Sequence, residues 1–196
     1  MNDLSIAILC GGDSSRFGED KTRQLVNGLP LYKLIWEKLE SRSRDIFLQA
    51  APGDQYDLPT KVDLIQGGGP LGAIYSALIH AKNDWLFVSA CDLPNLDPEL
   101  VDILIAEARS GDDSEIIIPR WDNGYYEPLA ALYNKSLLPG MKRLIGEGTR
   151  KITDILGAAE TVKEVSIEKL LAEGEVSSGC FFNVNTREDL QRLDSI

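Results

Sequence analysis

The chain has 196 residues, 43% of them hydrophobic, enough for a core of one domain of ordinary size. Its formal net charge of −11 argues against nonspecific binding to nucleic acid, so any site for a phosphorylated ligand has to be locally basic. Three widely spaced cysteines and a single histidine, His80, leave no disulfide framework, no zinc-ligand spacing and little room for a histidine triad.

The N-terminus lacks a basic leader and runs straight into a strand, and no apolar run is long enough to span a membrane. A reduced, cytoplasmic setting is the expectation. Residues 5–10 form the first apolar run, the pattern of a buried parallel strand. It opens into Gly11-Gly12-Asp13-Ser14-Ser15-Arg16-Phe17-Gly18-Glu19-Asp20-Lys21. Glycine amides can converge on anionic oxygens there, Arg16 supplies a planar fork of donors, and Lys21 a compact charge. Arg23 adds positive charge nearby. The loop is neither a Walker A motif nor GxGxxG. Its own pattern, GGxxxRxGxxK after an apolar strand, points to nucleotidyl transfer. Cys10 reads as a small buried residue, since no base accompanies it.

A helix is expected over residues 31–41, with Leu31, Leu34, Ile35 and Leu39 on one face and Pro30 at its start. Strands follow at 46–51 and 62–65. Gly67-Gly68-Gly69-Pro70 then breaks the chain before a helix at 72–81, whose N-terminus could bring backbone close to a base or ribose. Residues 85–90 are the next strand, ending at Cys91-Asp92-Leu93-Pro94. Asp92 reads either as the cap of a turn before Pro94 or as a Mg²⁺ ligand; the phosphate loop favours the ligand, because Mg²⁺ needs only one or two carboxylates beside substrate phosphates. A helix at 98–109 takes Asp97 as its N-cap.

The second half is less regular. Strands are expected at 115–119, 128–133, 161–165 and 181–185, and helices at 135–146, 151–156 and 187–193. Asn183 and Asn185 alternate with Val184 and would share one side of a strand, although a plain helix cap at Asn185 or Thr186 fits the spacing better. The alternation of strand and helix predicts a doubly wound α/β fold: a mostly parallel sheet with helices on both faces. In such sheets ligands lie beyond the carboxyl ends of the strands, where 11–21, 67–72 and 91–94 would meet. One domain is expected, nucleotide-binding in its N-terminal half and acceptor-binding in its C-terminal half.

These motifs resemble the molybdenum cofactor guanylyltransferases (MobA family), of Rossmann-like nucleotidyltransferase type, over nearly the whole chain. The matching segments are Leu9 to Lys21, Gly69-Pro70-Leu71, Cys91-Asp92-Leu93-Pro94, Glu127-Pro128-Leu129 and Phe182-Asn183-Val184-Asn185-Thr186. The resemblance implies GMP transfer from GTP to molybdopterin, with Mg²⁺ as cofactor and pyrophosphate as leaving group. It implies nucleotide contacts at Leu9, Cys10, Gly11 and Gly12 and at Gly69, Pro70 and Leu71. Further base contacts would come from Gln49 and the segment 63–67. Arg16, Lys21 and Asp92 would be catalytic, Asp92 would also hold the metal, and Asn183 and Asn185 would face molybdopterin. Proteins of molybdoenzyme maturation are the further partners it suggests; nucleic acid and membrane are not. Cys10 stands where alanine is usual, Gln49 where asparagine is common. A cytidylyltransferase for the same cofactor, a sugar-phosphate nucleotidyltransferase and a noncatalytic nucleotide-binding module are the alternatives.

Overall fold

A computed structural model describes residues 3–11, 21–111, 113–149, 151–186 and 188–190. Its main sheet has seven strands. In chain order these are β1 (Leu4–Leu9), β4 (Asp45–Ala50), β5 (Thr60–Val62), β6 (Trp85–Ala90), β7 (Ile116–Arg120), β8 (Ala130–Asn134) and β9 (Val162–Ser166). Two short strands, β2 (Leu25–Val26) and β3 (Leu29–Pro30), make a separate hairpin. The sheet order is β5-β4-β1-β6-β8-β7-β9. β1 pairs in parallel with β4 on one side and β6 on the other, and β4 with β5. β8 is the reversed strand, antiparallel to both β6 and β7, while β7 and β9 are parallel.

The apolar runs of the sequence are continuous because both faces of the sheet are covered. Along β1, Leu4, Ile6 and Ile8 point to a cluster shared with α1 (Leu31–Leu39), α3 (Glu99–Ala108) and α5 (Ile167–Ala172). Ala7 and Leu9 point the other way, toward α2 (Gly69–His80) and α4 (Leu138–Gly146). The period-2 alternation of a strand thus feeds two cores rather than one core and solvent. No helix among the described residues is long and apolar enough to cross a membrane.

Several expectations shift. β5 ends at Val62, because only Thr60 to Val62 pair with β4; Leu64, beyond it, is exposed. α2 begins at Gly69, earlier than the glycines suggest. Its entry needs glycine: a Cβ on Gly68 would lie 2.8 Å from Ile65 Cγ2 and 2.9 Å from Gly72 Cα. Asp97 does not cap α3 with its side chain. Its carboxylate accepts from the Ser177 amide at 2.6 Å instead, tying a C-terminal turn to the start of the helix. Residues 151–158 carry a 3₁₀ segment, Ile152–Ala158, rather than an α-helix. Residues 181–185 are not a strand. The Phe182 amide bonds to Gly179 O and the Val184 amide to Asp92 O, so this segment makes a turn bond and one long-range bond in place of a ladder. Thr186 Oγ1 accepts from the Asp189 amide at 3.1 Å, and Asp189 Oδ2 accepts from the Thr186 amide at 2.8 Å, the reciprocal bonds of a helix cap. The final helix is described only at 188–190.

Candidate active site

The chain leaves β1 toward β4 and later returns on its other flank as β6, so the carboxyl end of β1 is a topological switch point. A cavity of about 480 Å³ lies there. Its walls come from four places: Leu9 and Gly11 at the end of β1, Asp63 and Ile65 after β5, the turn Gly67 to Pro70 at the start of α2, and Ala90 to Asp92 at the end of β6. Leu129 closes it from the start of β8. Because β8 is reversed, the segment that precedes it reaches the same sheet edge as the carboxyl ends of β1 and β6; the Ala90 amide donates to Leu129 O at 3.1 Å. α2 points its N-terminus, the positive end of its dipole, at the cavity.

At the mouth stands Lys21, in a short 3₁₀ turn, Lys21–Arg23. Its Nζ donates to Asp92 Oδ2 at 2.7 Å and to Asn185 Oδ1 at 3.1 Å. Side-chain exposures of 17% and 22% for Lys21 and Asp92 put the pair at the boundary between solvent and protein, where ligand phosphates can reach both. The turn is held by Thr22, whose hydroxyl pairs with Tyr56 Oη at 3.1 Å, and Tyr56 Oη in turn donates to Cys10 O at 3.2 Å. Arg23 does not line the cavity. Its guanidinium donates to Gln55 O and lies 5.0 Å from the centre of the Tyr56 ring, which ties this turn to the segment around Tyr56.

Asp92 Oδ1 is buried and has no hydrogen-bond partner among the described residues. A buried carboxylate oxygen left without a donor is costly unless something cationic completes it. Among the described residues no group of three or more His, Cys, Asp or Glu side chains could hold a metal. A hard divalent cation at Asp92 would therefore take one protein carboxylate and fill its shell with phosphate oxygens and water, which suits the donor set present.

The opposite wall is polar for another reason. Asp63 Oδ1 accepts from Gln49 Nε2 at 2.7 Å, and Gln49 itself is buried at 1% exposure with its Oε1 unpartnered among the described residues. Burial pushes the Asp63 carboxyl above the usual carboxylate range, and the Gln49 bond pulls it partly back. The other oxygen, Oδ2, lies 3.7 Å from where a Cβ on Gly11 would sit, so the absence of a side chain at Gly11 keeps that carboxylate open.

Of the residues singled out from the sequence, Leu9, Gly11, Lys21, Gly69, Pro70 and Asp92 line the cavity. Gly12 and Arg16 lie outside the described residues. Cys10, Gln49 and Leu71 are buried behind the wall: Cys10 and Leu71 in the two cores, Gln49 bracing Asp63. Asn185 reaches the site through Lys21, and Asn183 Nδ2 donates to Phe181 O at 3.4 Å. Asp63, Thr22 and Ala73 line the cavity without having been singled out one by one. Asp63 is the one with a readable signal, a carboxylate at the end of an edge strand just before a glycine turn.

A family model described as a MobA-like NTP transferase domain matches residues 6–163. A protein of Pyrococcus furiosus named a probable molybdenum cofactor guanylyltransferase is 37% identical over 95% of this chain and 94% of its own. One of Vibrio vulnificus named a molybdenum cofactor guanylyltransferase is 29% identical over 98% and 95%. The crystal structure of molybdopterin-guanine dinucleotide biosynthesis protein A from Archaeoglobus fulgidus superposes with a TM-score of 0.84 at 30% identity, covering 100% of this chain and 97% of that one. The 2-C-methyl-D-erythritol 4-phosphate cytidylyltransferase of Thermus thermophilus, at 16% identity and TM-score 0.69, shares the fold. With its parallel switch point, its lysine–aspartate pair and these matches, the chain belongs to the MobA-like NTP transferase family.

Proposed function

We propose that this protein transfers GMP from GTP to the terminal phosphate of molybdopterin, releasing pyrophosphate, as one nucleotidyltransferase unit with its N-terminal half on the nucleotide and its C-terminal half on the acceptor. The observation that carries this reading is the position of Lys21. Its ammonium joins Asp92, at the end of a nucleotide-side strand, to Asn185, in the C-terminal segment, at the mouth of a cavity with Asp63 on its far wall.

Asp63 favours guanine. Guanine offers two adjacent donors, N1–H and the 2-amino group, and a carboxylate accepts both. Cytosine offers one donor beside the N3 lone pair, which a carboxylate repels. Phosphates would lie toward the α2 N-terminus and Lys21. Mg²⁺ fits at Asp92, where its charge would offset that of the triphosphate. The attacking group is a phosphate monoester with a second pKa of about 6, so at neutral pH it is largely dianionic and needs little help from a base. Its oxygen forms a bond to the α-phosphorus of GTP as the bond from that phosphorus to the bridging oxygen breaks, and pyrophosphate leaves. Lys21 and loop amides stabilise the charge on the transferring group, and the rest of catalysis is alignment. Three free, buried cysteines suit the reducing cytosol in which such chemistry would take place.

Pyrophosphate release from GTP and from CTP, each with and without molybdopterin and Mg²⁺, tests this. Release with GTP plus molybdopterin alone is expected. Release with CTP in its place would move the protein to cytidylyl transfer; silence with both, from folded protein and active acceptor, would rule out transfer to this cofactor.

A further inference from the structure

We propose that Glu127 recognises the N–H edge of the acceptor's pterin ring, with Trp121 and Phe181 as the aromatic wall beside it. This rests on molybdopterin being the acceptor.

Glu127 lies between β7 and β8, and its backbone is already committed: its amide donates to Pro119 O at 2.9 Å and its carbonyl accepts from Ala130 N at 3.0 Å. Among the described residues the side chain belongs to no ion pair. Oε1 accepts from Trp121 Nε1 at 2.8 Å, and no described group donates to Oε2. Burial pushes this carboxyl upward and the indole N–H pulls it partly back. Oε2 is not buried away from water, so a ligand N–H can take the place of solvent there while Oε1 stays on the indole.

Its place in the fold says where those donors would come from. In sheet order Asp63 follows β5, Asp92 follows β6, and Glu127 stands beyond them, at the edge of β8 and β7. Asp92 therefore lies between the two desolvated carboxylates. Leu129, two residues past Glu127, lines the cavity. Trp121 meets the Phe181 ring edge-on, with centroids 5.9 Å apart. Three residues past Phe181, the Val184 amide bonds to Asp92 O at 2.9 Å, so the aromatic pair is tied to the segment that passes the catalytic aspartate.

A pterin carries a 2-amino-4-oxopyrimidine ring, whose N3–H and 2-amino group repeat the donor pair of guanine. One carboxylate for each ring, on either side of Asp92, gives each substrate its own reader. A carboxylate oxygen has two lone pairs, so Oε1 can keep the indole bond while accepting from the ring.

The test uses the full chain. Initial rates with GTP and molybdopterin give both KM values, and the fluorescence of pterin and of lumazine, which lacks the 2-amino group, reports binding without turnover. Glu127→Gln is expected to raise the molybdopterin KM about tenfold or more and weaken pterin binding by a similar factor, with the KM for GTP within about twofold. The wild type should prefer pterin to lumazine, and the variant should lose that preference. Trp121→Phe keeps the ring and deletes the N–H; a smaller effect in the same direction is expected, and it serves if Glu127→Gln does not fold. A purely structural role would lower Tm and disturb both KM values alike, and would overturn the assignment. An unchanged molybdopterin KM and pterin affinity would overturn it while leaving GMP transfer standing. No transfer by the wild type to molybdopterin would instead overturn the acceptor reading, and this assignment with it.

Discussion

The sheet has two regions that bring residues to one edge by different means. From β5 through β6 the strands all run the same way, and each delivers its following residues to the cavity as a matter of geometry. From β8 onward the order is broken by one reversed strand, and the segment before β8, not after it, reaches the edge. The parallel region makes its site from loops beyond strand ends. The reversed region makes its contribution from a turn and from an irregular stretch, 181–185, held by single bonds to its neighbours. The first kind of site is dictated by topology and tolerates little change. The second depends on particular side chains.

If the parallel region carries the chemistry, the largest effect should come from Asp92. Asp92→Asn keeps the shape and removes the charge facing the metal position, so turnover should fall by about 10³-fold, with GTP binding in the absence of Mg²⁺ retained. Pyrophosphate release measured across a Mg²⁺ titration checks this. A variant with wild-type rate and Mg²⁺ dependence would remove Asp92 from the site.

Lys21→Ala should cost about 10²-fold in kcat. The fold should survive with a measurable loss of Tm, because breaking the part-buried Lys21–Asp92 pair, at 17% and 22% side-chain exposure, leaves the Asp92 carboxylate without its cation. Thermal melting and single-turnover rates separate the two effects. A loss of Tm without a loss of rate would make Lys21 a structural strap and shift the catalytic weight to the loop that precedes it.

Gly68→Ala breaks the parallel region at its backbone rather than at its charges. The new methyl would meet Ile65 Cγ2 and Gly72 Cα at under 3 Å, and the second contact cannot relax without moving α2. A loss of about 1–3 kcal/mol is expected from chemical denaturation. Ile65→Ala in the same chain should recover part of it, since it removes one of the two contacts. Full stability of the single variant would mean that the α2 entry is loose and does not hold the cavity wall in place.

The same contrast decides what could be read in one dimension. β1 and β6 were legible as apolar runs closed by glycine or by Cys91-Asp92, because a strand buried on both faces needs no partner in the sequence to be recognised. The convergence of Gly11, Gly69 and Asp92 followed from parallel order alone. The sequence pattern puts the edge strand at 62–65 and the structure at Thr60–Val62, since nothing local tells Thr60 from Asp63; pairing with Leu48 to Ala50 does. Asn27-Gly28, with φ of 50° and 83°, marks the turn of the β2–β3 hairpin, whose two-residue strands are too short to carry a strand pattern of their own. Residues 181–185 resemble a strand because Asn and Val alternate, yet Phe181 and Val184, three apart, are the buried pair. Asp97 looked like a cap and is a tertiary acceptor for Ser177. Gln49, expected beside the base, is buried and donates to Asp63, a pairing across 14 residues of sequence that has no local signature.

The smallest effect is also the most specific, and it concerns the brace. Burial raises the Asp63 carboxyl above its ordinary value, so the folded, ligand-free protein holds that proton more tightly than the unfolded chain does. The corresponding stability is fully present below the ordinary carboxylate range and is lost as pH rises through the raised value. Asp63→Asn has no proton to lose there, and its oxygen can still accept from Gln49. Relative to wild type, the Tm of the ligand-free variant should therefore increase as pH climbs through that window and stay level above it. Guanine reverses the preference, because two N–H donors stabilise the carboxylate. Wild-type affinity for GTP should improve as pH rises through the same window, with proton release visible as a buffer-dependent heat of binding. The variant should bind GTP about tenfold more weakly at neutral pH, discriminate less against CTP, and show no such slope. A slope that persists in Asp63→Asn would place the proton, and with it the reading of the base, on another group.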